Sequence, residues 1–269
     1  KVLIEANKEK NIYIKFSKKK LLRKNMIKND YKTALVTGAS SGIGRATVKA
    51  LVNKGIKVYA LARRKTKLNQ LSKETGCIII VMDIRDRKSL EKLKKINFDI
   101  LINNAGLGKG FVKIFNTKAK DIDATIDTNV NSFLHLLRCI TPNMVRKKKG
   151  HIINIGSIAG LYPLSSSVYG GSKGAVHLIN QNLRLELSGK GIRCTEINPG
   201  RVNTEFFDVA FDNKKDSKKM KTGLTLLNPE DIANSIIYAI ETPPHVNISM
   251  IEITPTEQAP GGVLIEKIK

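Results

Sequence analysis

Thr33-Ala34-Leu35-Val36-Thr37-Gly38-Ala39-Ser40-Ser41-Gly42-Ile43-Gly44 is the stretch that decides the fold. Thr33–Thr37 is short, apolar and rich in β-branched residues, the signature of a buried strand. It runs directly into three glycines spaced G-x-x-x-G-x-G, and then into a helical stretch from Arg45 to Lys54. Strand, glycine turn and helix is the arrangement that sets a pyrophosphate on a helix N-terminus. The glycines give a tight turn, close approach of backbone to phosphate, and close packing of helix on strand.

Outward from that unit, strand-like and helix-like segments alternate, as in a parallel sheet covered on both faces. We expect strands at Lys57–Leu61, Cys77–Met82 (buried), Asp99–Ile102, His151–Ile155, Ile192–Ile197 and Asn247–Ile253. The intervening helices are expected at Lys65–Lys73, Arg87–Lys95, about Ile122–Arg146 and Ser166–Gly189, with one opened by Pro229-Glu230-Asp231. The fold class is therefore α/β: a single domain built on a Rossmann-type, doubly wound sheet of seven parallel strands. Ligands of such sheets bind at strand carboxyl ends.

A second constellation carries the chemistry. Tyr169 and Lys173 are four apart, on one helix face. An ammonium beside a phenol favours the phenolate and lowers a pKa that is ordinarily near 10. The pair is thus suited to moving a proton on and off an oxygen, and Ser157 lies twelve residues upstream.

Together these elements resemble the short-chain dehydrogenase/reductase family. The matching residues are Thr37-Gly38-x-x-x-Gly42-Ile43-Gly44, Asp83, Asn103-Asn104-Ala105-Gly106, Asn129, Ser157, Tyr169, Lys173 and Pro199-Gly200-x-Val202-x-Thr204, from about residue 32 onward. The resemblance implies that Tyr169 gives a proton to a carbonyl oxygen as hydride arrives from a nicotinamide. It implies that Ser157 hydrogen-bonds that oxygen, that Lys173 tunes Tyr169 and binds ribose hydroxyls, and that Asn129 holds a relay water. The implied cofactor residues are Gly38, Ser40, Ser41, Gly42, Ile43, Gly44, Asp83 and Ile84 (at the adenine), Asn104, Ala105, Gly106, Pro199, Gly200, Val202 and Thr204 (at the carboxamide). Tyr169 and Lys173 serve the cofactor as well.

Cofactor choice can be argued from the residues. An NAD site has an acid about twenty positions past the glycines, whereas here strand two ends Leu61-Ala62-Arg63-Arg64. Two guanidiniums suit a 2′-phosphate, so we expect NADP. Many NADP-linked relatives have a basic residue just before the second glycine; this chain has Ser41, which leaves the phosphate to Arg63 and, secondarily, Arg64.

Pro243-Pro244-His245-Val246-Asn247-Ile248 and Pro255-Thr256-Glu257-Gln258 resemble one subgroup, the NADP-dependent 3-hydroxy acid dehydrogenases. That implies small carbonyl or hydroxy acid substrates such as allo-threonine, serine and malonic semialdehyde. One departure is Ala210, where the subgroup has an Arg in a lid expected from Asn203 to about Leu227; Lys109, Lys113 or Arg201 could replace it at a carboxylate. A 3-oxoacyl carrier-protein reductase or other carbonyl reductase is the alternative. A non-enzymatic cofactor sensor or nucleic-acid binder is a third reading, disfavoured by the complete Asn129, Ser157, Tyr169 and Lys173 set.

Composition bounds the rest. The 269 residues suffice for one domain with a large core. The net charge of +24 is mostly lysine spread along the chain without interleaved aromatics, so no nucleic-acid partner is expected. Cys77, Cys139 and Cys194 and the four histidines lack metal-ligand spacing, so we expect no metal, and the cysteines fit a reducing, cytoplasmic setting. Apolar runs are too short for a membrane helix.

Residues 1–25 hold nine Lys/Arg against two Asp/Glu, with no persistent period. They are expected to be a basic extension, either upstream of the mature fold or targeting-like, with 26–269 as the NADP-binding domain and Met26 a natural start. Apolar positions at three- and four-residue spacing on the two long helices (Ile122, Ile126, Val130, Phe133, Leu134 and Leu137; Val176, Ile179, Leu183 and Leu187), with Leu178 and Leu185 off the stripe and Val263, Leu264 and Ile265 in the tail, point to a homotetramer.

Overall fold

In the computed structural model the described residues are 30–259, together with two short strands, Ile4–Ala6 and Ile12–Ile14, which pair antiparallel. The sequence reading gave residues 1–25 no regular structure. The β-branched, alternating Ile4-Glu5-Ala6 and Ile12-Tyr13-Ile14 nevertheless make a two-stranded ladder, separate from the main sheet. The tail leucine and its neighbours, Val263 to Ile265, lie outside the described residues.

The main sheet has seven strands. They are β1 (Thr33–Thr37), β2 (Lys57–Ala62), β3 (Ile78–Val81), β4 (Ile100–Asn103), β5 (Gly150–Ile155), β6 (Ile192–Pro199) and β7 (Met250–Ile253). All pairings are parallel, in the order β3-β2-β1-β4-β5-β6-β7. The order reverses between β1 and β4, which opens a crevice at their carboxyl ends.

Each central strand sends alternate residues into two cores. Ala34, Val36, Ile100, Ile102 and Ile153 pack with Val48, Leu51, Ile232 and Ile236 on one face. Leu35, Leu101 and Ile152 pack with Phe133, Leu136, Val176 and Leu183 on the other. The strands are apolar on both faces because both are covered. Each fully buried leucine contributes about 1.5–3 kcal/mol.

Helices α1 (Gly42–Asn53), α2 (Lys65–Thr75) and α3 (Arg87–Leu90, continued by a 3₁₀ turn, Glu91–Lys95) follow the first three strands. α4 (Ala119–Ile126) and α5 (Ser132–Lys147) precede β5, and α6 (Ser167–Glu186) precedes β6. The lid carries α7 (Phe206–Ala210) and α8 (Lys214–Met220), and α9 (Pro229–Glu241) precedes β7.

Two expectations need correction. The apolar run Cys77–Met82 is not a buried strand: β3 is at the sheet edge, with Ile78 and Val81 39% and 48% exposed. A short apolar run does not distinguish a central strand from an edge one. The long helix expected at 122–146 is interrupted by a π segment, Asp127–Asn131. That interruption buries Asn129, and π segments inside helices concentrate at functional sites.

β6 is tied to the far face by Arg193. Its buried guanidinium donates to the carbonyls of Ala239 and Ile240 at the end of α9, at 3.1 and 2.9 Å, and to that of Val246 at 3.1 Å. This fixes the segment leading into β7. Among the described residues no helix is long and apolar enough to cross a membrane.

Candidate active site

The glycine turn is bolted to the turn after β4. Thr37 Oγ1 accepts from the backbone N–H of Asn104 and Ala105, both at 3.0 Å, and Asn104 Nδ2 donates to the Thr37 carbonyl at 2.8 Å. Gly38 takes φ +66°, and a Cβ there would lie 2.8 Å from Asn104 Nδ2; one at Gly44 would lie 2.5 Å from the Gly38 carbonyl oxygen. The glycines are required by this crowding and leave the start of α1 bare.

A cavity of about 520 Å³ lies over these turns. Of the residues singled out in the sequence, it is lined by Gly38, Ser40, Ser41, Gly42, Ile43, Arg63, Arg64, Asp83, Ile84, Asn104, Ala105, Gly106, Ser157, Tyr169, Lys173, Pro199, Gly200, Val202 and Thr204. Gly44 and Asn129 sit behind the wall. Gly44 packs on Gly38, while Asn129 clamps the loop after β4 to α6: its Oδ1 accepts from Leu107 N–H at 2.7 Å, and its Nδ2 donates to the Leu107 carbonyl at 2.8 Å and Ser172 Oγ at 3.0 Å.

At one end of the cavity lie the cations. Arg64 Nε and Nη2 donate to Ser40 Oγ at 3.0 and 2.9 Å, and Nη2 also donates to Ser41 Oγ at 2.6 Å. Arg63 is two-thirds exposed and lies 3.7 Å from Asp83, whose carboxyl Arg85 holds below its ordinary range. The guanidinium hydrogen-bonded into the glycine turn is that of Arg64, while Arg63 also lines the cavity. Ser41, which stands where many NADP-linked relatives have a basic residue, is one of its acceptors, and Ser40 is the other.

At the other end, Ser166 starts α6, its Oγ accepting from Tyr169 N–H, and α6 presents Tyr169 and Lys173 on one buried face. Ser157 at the end of β5 is oriented by Asn198, whose Oδ1 accepts from Ser157 N–H at 2.9 Å. Lys173 Nζ donates to the Ile155 carbonyl at 2.8 Å. Burial lowers the Lys173 pKa to about 8, with the buried Glu196 acting the other way. Burial pushes Tyr169 up to about 12, and the Ser157 hydroxyl weakly opposes it. The sequence expectation was that Lys173 would lower the Tyr169 pKa. In this arrangement desolvation of the phenol dominates.

Aromatic rings pack against Tyr169, and of these Phe206 lines the cavity. Phe111 and Phe206 have ring centroids 5.2 and 5.3 Å from that of Tyr169. None of the cations suggested for a carboxylate lines the cavity. Lys109 pairs with Asp212 at 2.8 Å, Lys113 lies over the Phe115 ring, and the Arg201 side chain is outside the lining.

Sequence reasoning missed several contributors. Gln258 Oε1 accepts from Arg201 N–H at 2.9 Å, and Glu257 Oε2 accepts from Thr225 N–H, so the C-terminal segment holds both ends of the lid. Its only sequence signal was the Pro255-Thr256-Glu257-Gln258 string, noted as a subgroup mark. Glu205, on the lid, reaches Arg64 and Lys67, and nothing in the local sequence announces that contact.

A family model described as short chain dehydrogenase matches residues 32–215. An uncharacterized short-chain type dehydrogenase/reductase, y4eK, of Sinorhizobium fredii is 38% identical over 242 residues, covering 89% of this chain and 98% of that one. The NADP-dependent 3-hydroxy acid dehydrogenase YdfG of Escherichia coli is 37% identical over 245 residues, covering 87% and 98%. Among solved structures, the closed form of a serine dehydrogenase complexed with NADP+ superposes with a TM-score of 0.82 at 35% identity, covering 88% of this chain and all of that one.

The buried lysine makes a pH test available without any ligand. Its pKa is about 8 in the fold against an ordinary value of 10.5. Between those values the unfolded chain binds the extra proton, so stability rises with pH. The unfolding free energy of the wild type relative to Lys173→Met should therefore climb by roughly 3 kcal/mol from pH 8 to 10.5. Chemical denaturation across that range measures it, and a flat difference would mean that Lys173 is not desolvated.

Proposed function

The chain belongs to the short-chain dehydrogenase family, and from that premise we propose that its cavity interconverts an alcohol and a carbonyl group, a secondary alcohol and its ketone or a primary alcohol and its aldehyde, on short 3-hydroxy acids or the corresponding semialdehydes. The enzyme is an NADP-dependent oxidoreductase. The residues present fit the cofactor: a glycine turn too crowded for a Cβ borders the cavity, and the Arg64 guanidinium, which suits a 2′-phosphate, lines the same cavity. NADPH, when bound, supplies the hydride.

The observation that carries the reading is Tyr169 beside Ser157 and Lys173, buried at the end of β5 within the same cavity. Tyr169 holds its proton at neutral pH and delivers it to the substrate oxygen. Ser157, fixed by Asn198, donates a hydrogen bond to that oxygen as charge develops. Lys173 supplies positive charge within reach of Tyr169 and of a bound ribose, and favours the phenolate left after proton transfer. Asn129 keeps the Leu107 loop and α6 in register, which supports a relay water at Lys173. Thr204 and Pro199–Val202 border the nicotinamide position, and Asp83 with Ile84 the adenine.

A second substrate reading has one observation in its favour. The wall around Tyr169 is aromatic, and the lid position that is Arg in the 3-hydroxy acid subgroup is the buried Ala210. That wall suits an uncharged carbonyl. Rates with NADP(H) on 3-hydroxy acids, malonic semialdehyde, uncharged diketones and 3-oxoacyl thioesters separate the readings; acids turned over fastest support the first.

We expect Tyr169→Phe to lose about 10²–10⁴-fold in turnover while NADPH still binds in a fluorescence titration. Retained turnover would place the proton donor elsewhere. Arg64→Ala should cut the preference for NADP(H) over NAD(H) in kcat/KM by about 10–100-fold, as for a lost hydrogen bond to a charged group; an unchanged preference would remove Arg64 from phosphate recognition.

We also propose a homotetramer paired through α5 and α6. Phe133, Leu137, Val176, Leu183 and Leu187 are buried within the subunit, but Leu134, Leu178 and Leu185 are exposed on these helices. Light scattering at micromolar protein should give four times 29.8 kDa; a single-chain mass would overturn it.

A further inference from the structure

Glu205 stands immediately after Thr204, at the start of the lid, and its carboxylate is drawn away from the lid onto the sheet side. Oε2 lies 2.6 Å from Arg64 Nη1, and Oε1 is bonded to Lys67 Nζ at the start of α2. The two cations hold its pKa down to about 2, so it is a permanent anion. Arg64 is the same guanidinium that is seated on Ser40 and Ser41 in the glycine turn.

The geometry points to Glu205 as an internal surrogate for the cofactor's 2′-phosphate: it occupies the Arg64–Lys67 site, ties the lid to α2, and is displaced when a 2′-phosphorylated nucleotide binds. This rests on the NADP reading above. One carboxylate does not neutralise two cations, and a phosphate monoester with nearly two charges and three acceptor oxygens outcompetes it. Once displaced, the carboxylate loses both partners and is repelled by the phosphate, so the first turn of the lid is untied. NAD(H), which has a ribose hydroxyl at that position, gains nothing from the exchange and leaves the tie in place. Glu205 would then contribute to cofactor discrimination from the lid side and would report cofactor identity to the segment that covers the substrate.

The test uses the full chain without substrate. Dissociation constants of wild type and Glu205→Gln are measured calorimetrically for NADP+, NAD+ and adenosine 2′-monophosphate. The pair is partly exposed, so the gain is modest: Glu205→Gln should bind NADP+ and adenosine 2′-monophosphate about three- to tenfold more tightly, with NAD+ unchanged. In parallel, trypsin cleavage at the lid lysines (Lys214 to Lys221) is followed with saturating adenosine 2′-monophosphate, which carries the phosphate but lacks the nicotinamide half of the cofactor. Cleavage should accelerate in the wild type and be fast and insensitive in Glu205→Gln. Weaker binding of the phosphorylated ligands by the variant would make Glu205 a positioning residue for Arg64 and overturn the proposal, as would equal changes for NAD+ or unaltered cleavage. Equal affinity of the wild type for NADP+ and NAD+ would instead overturn the cofactor reading itself.

Discussion

The molecule depends on how closely two turns can approach. Thr37, at the end of β1, uses its hydroxyl and its carbonyl to take three donors from Asn104 and Ala105 at the end of β4. These strands are neighbours across the point where sheet order reverses. The contact leaves no volume for side chains at positions 38 and 44. It also aligns the ends of the central strands at one level, so that the residues following β1, β2, β4, β5 and β6 border one cavity. Without it the Arg64 end and the Tyr169 end would not share a floor.

The two ends of the cavity work by opposite electrostatic means. Around Arg64 the groups are partly exposed, several charges of both signs alternate, and each interaction is individually small. Around Tyr169 and Lys173 burial dominates: it raises one pKa and lowers the other until the ammonium titrates several units below the phenol. A desolvated pair of this kind holds its proton in the absence of ligand and responds strongly to any new polar group placed against it.

Much of this was legible in the sequence. Apolar, β-branched runs alternating with helical segments, the glycine turn after β1 and the Tyr169-to-Lys173 spacing reported local rules, and local rules are what sequence displays. The seven-stranded parallel sheet followed from them, while most of the cavity lining was implied by the resemblance to short-chain dehydrogenases. The failures share a cause. Whether Cys77–Met82 is central or at an edge depends on which strand lies beyond it. Arg64 rather than Arg63 turns inward because of Ser40 and Ser41, and Glu205 meets Lys67 across 138 positions of chain. The direction of the Tyr169 shift depends on what covers the phenol, namely Phe111 and Phe206, which no spacing rule places there.

The clamp made by Gln258 has a consequence for biosynthesis. The turn after β6 is fixed by a residue 57 positions later, which arrives after α9 and β7. A chain emerging from the ribosome has its glycine turn, its Arg64 site and its proton donor long before it has the residue that holds Arg201 in place. The phosphate end of the cavity can thus assemble early and the lid end only after Gln258 has been made. Such long-range closure is entropically costly and slow. Between the synthesis of Phe206 and that of Gln258 a nascent chain therefore presents an open, aromatic-lined mouth, and early capture of a nucleotide at the Arg64 end would be its first source of stability beyond its own packing.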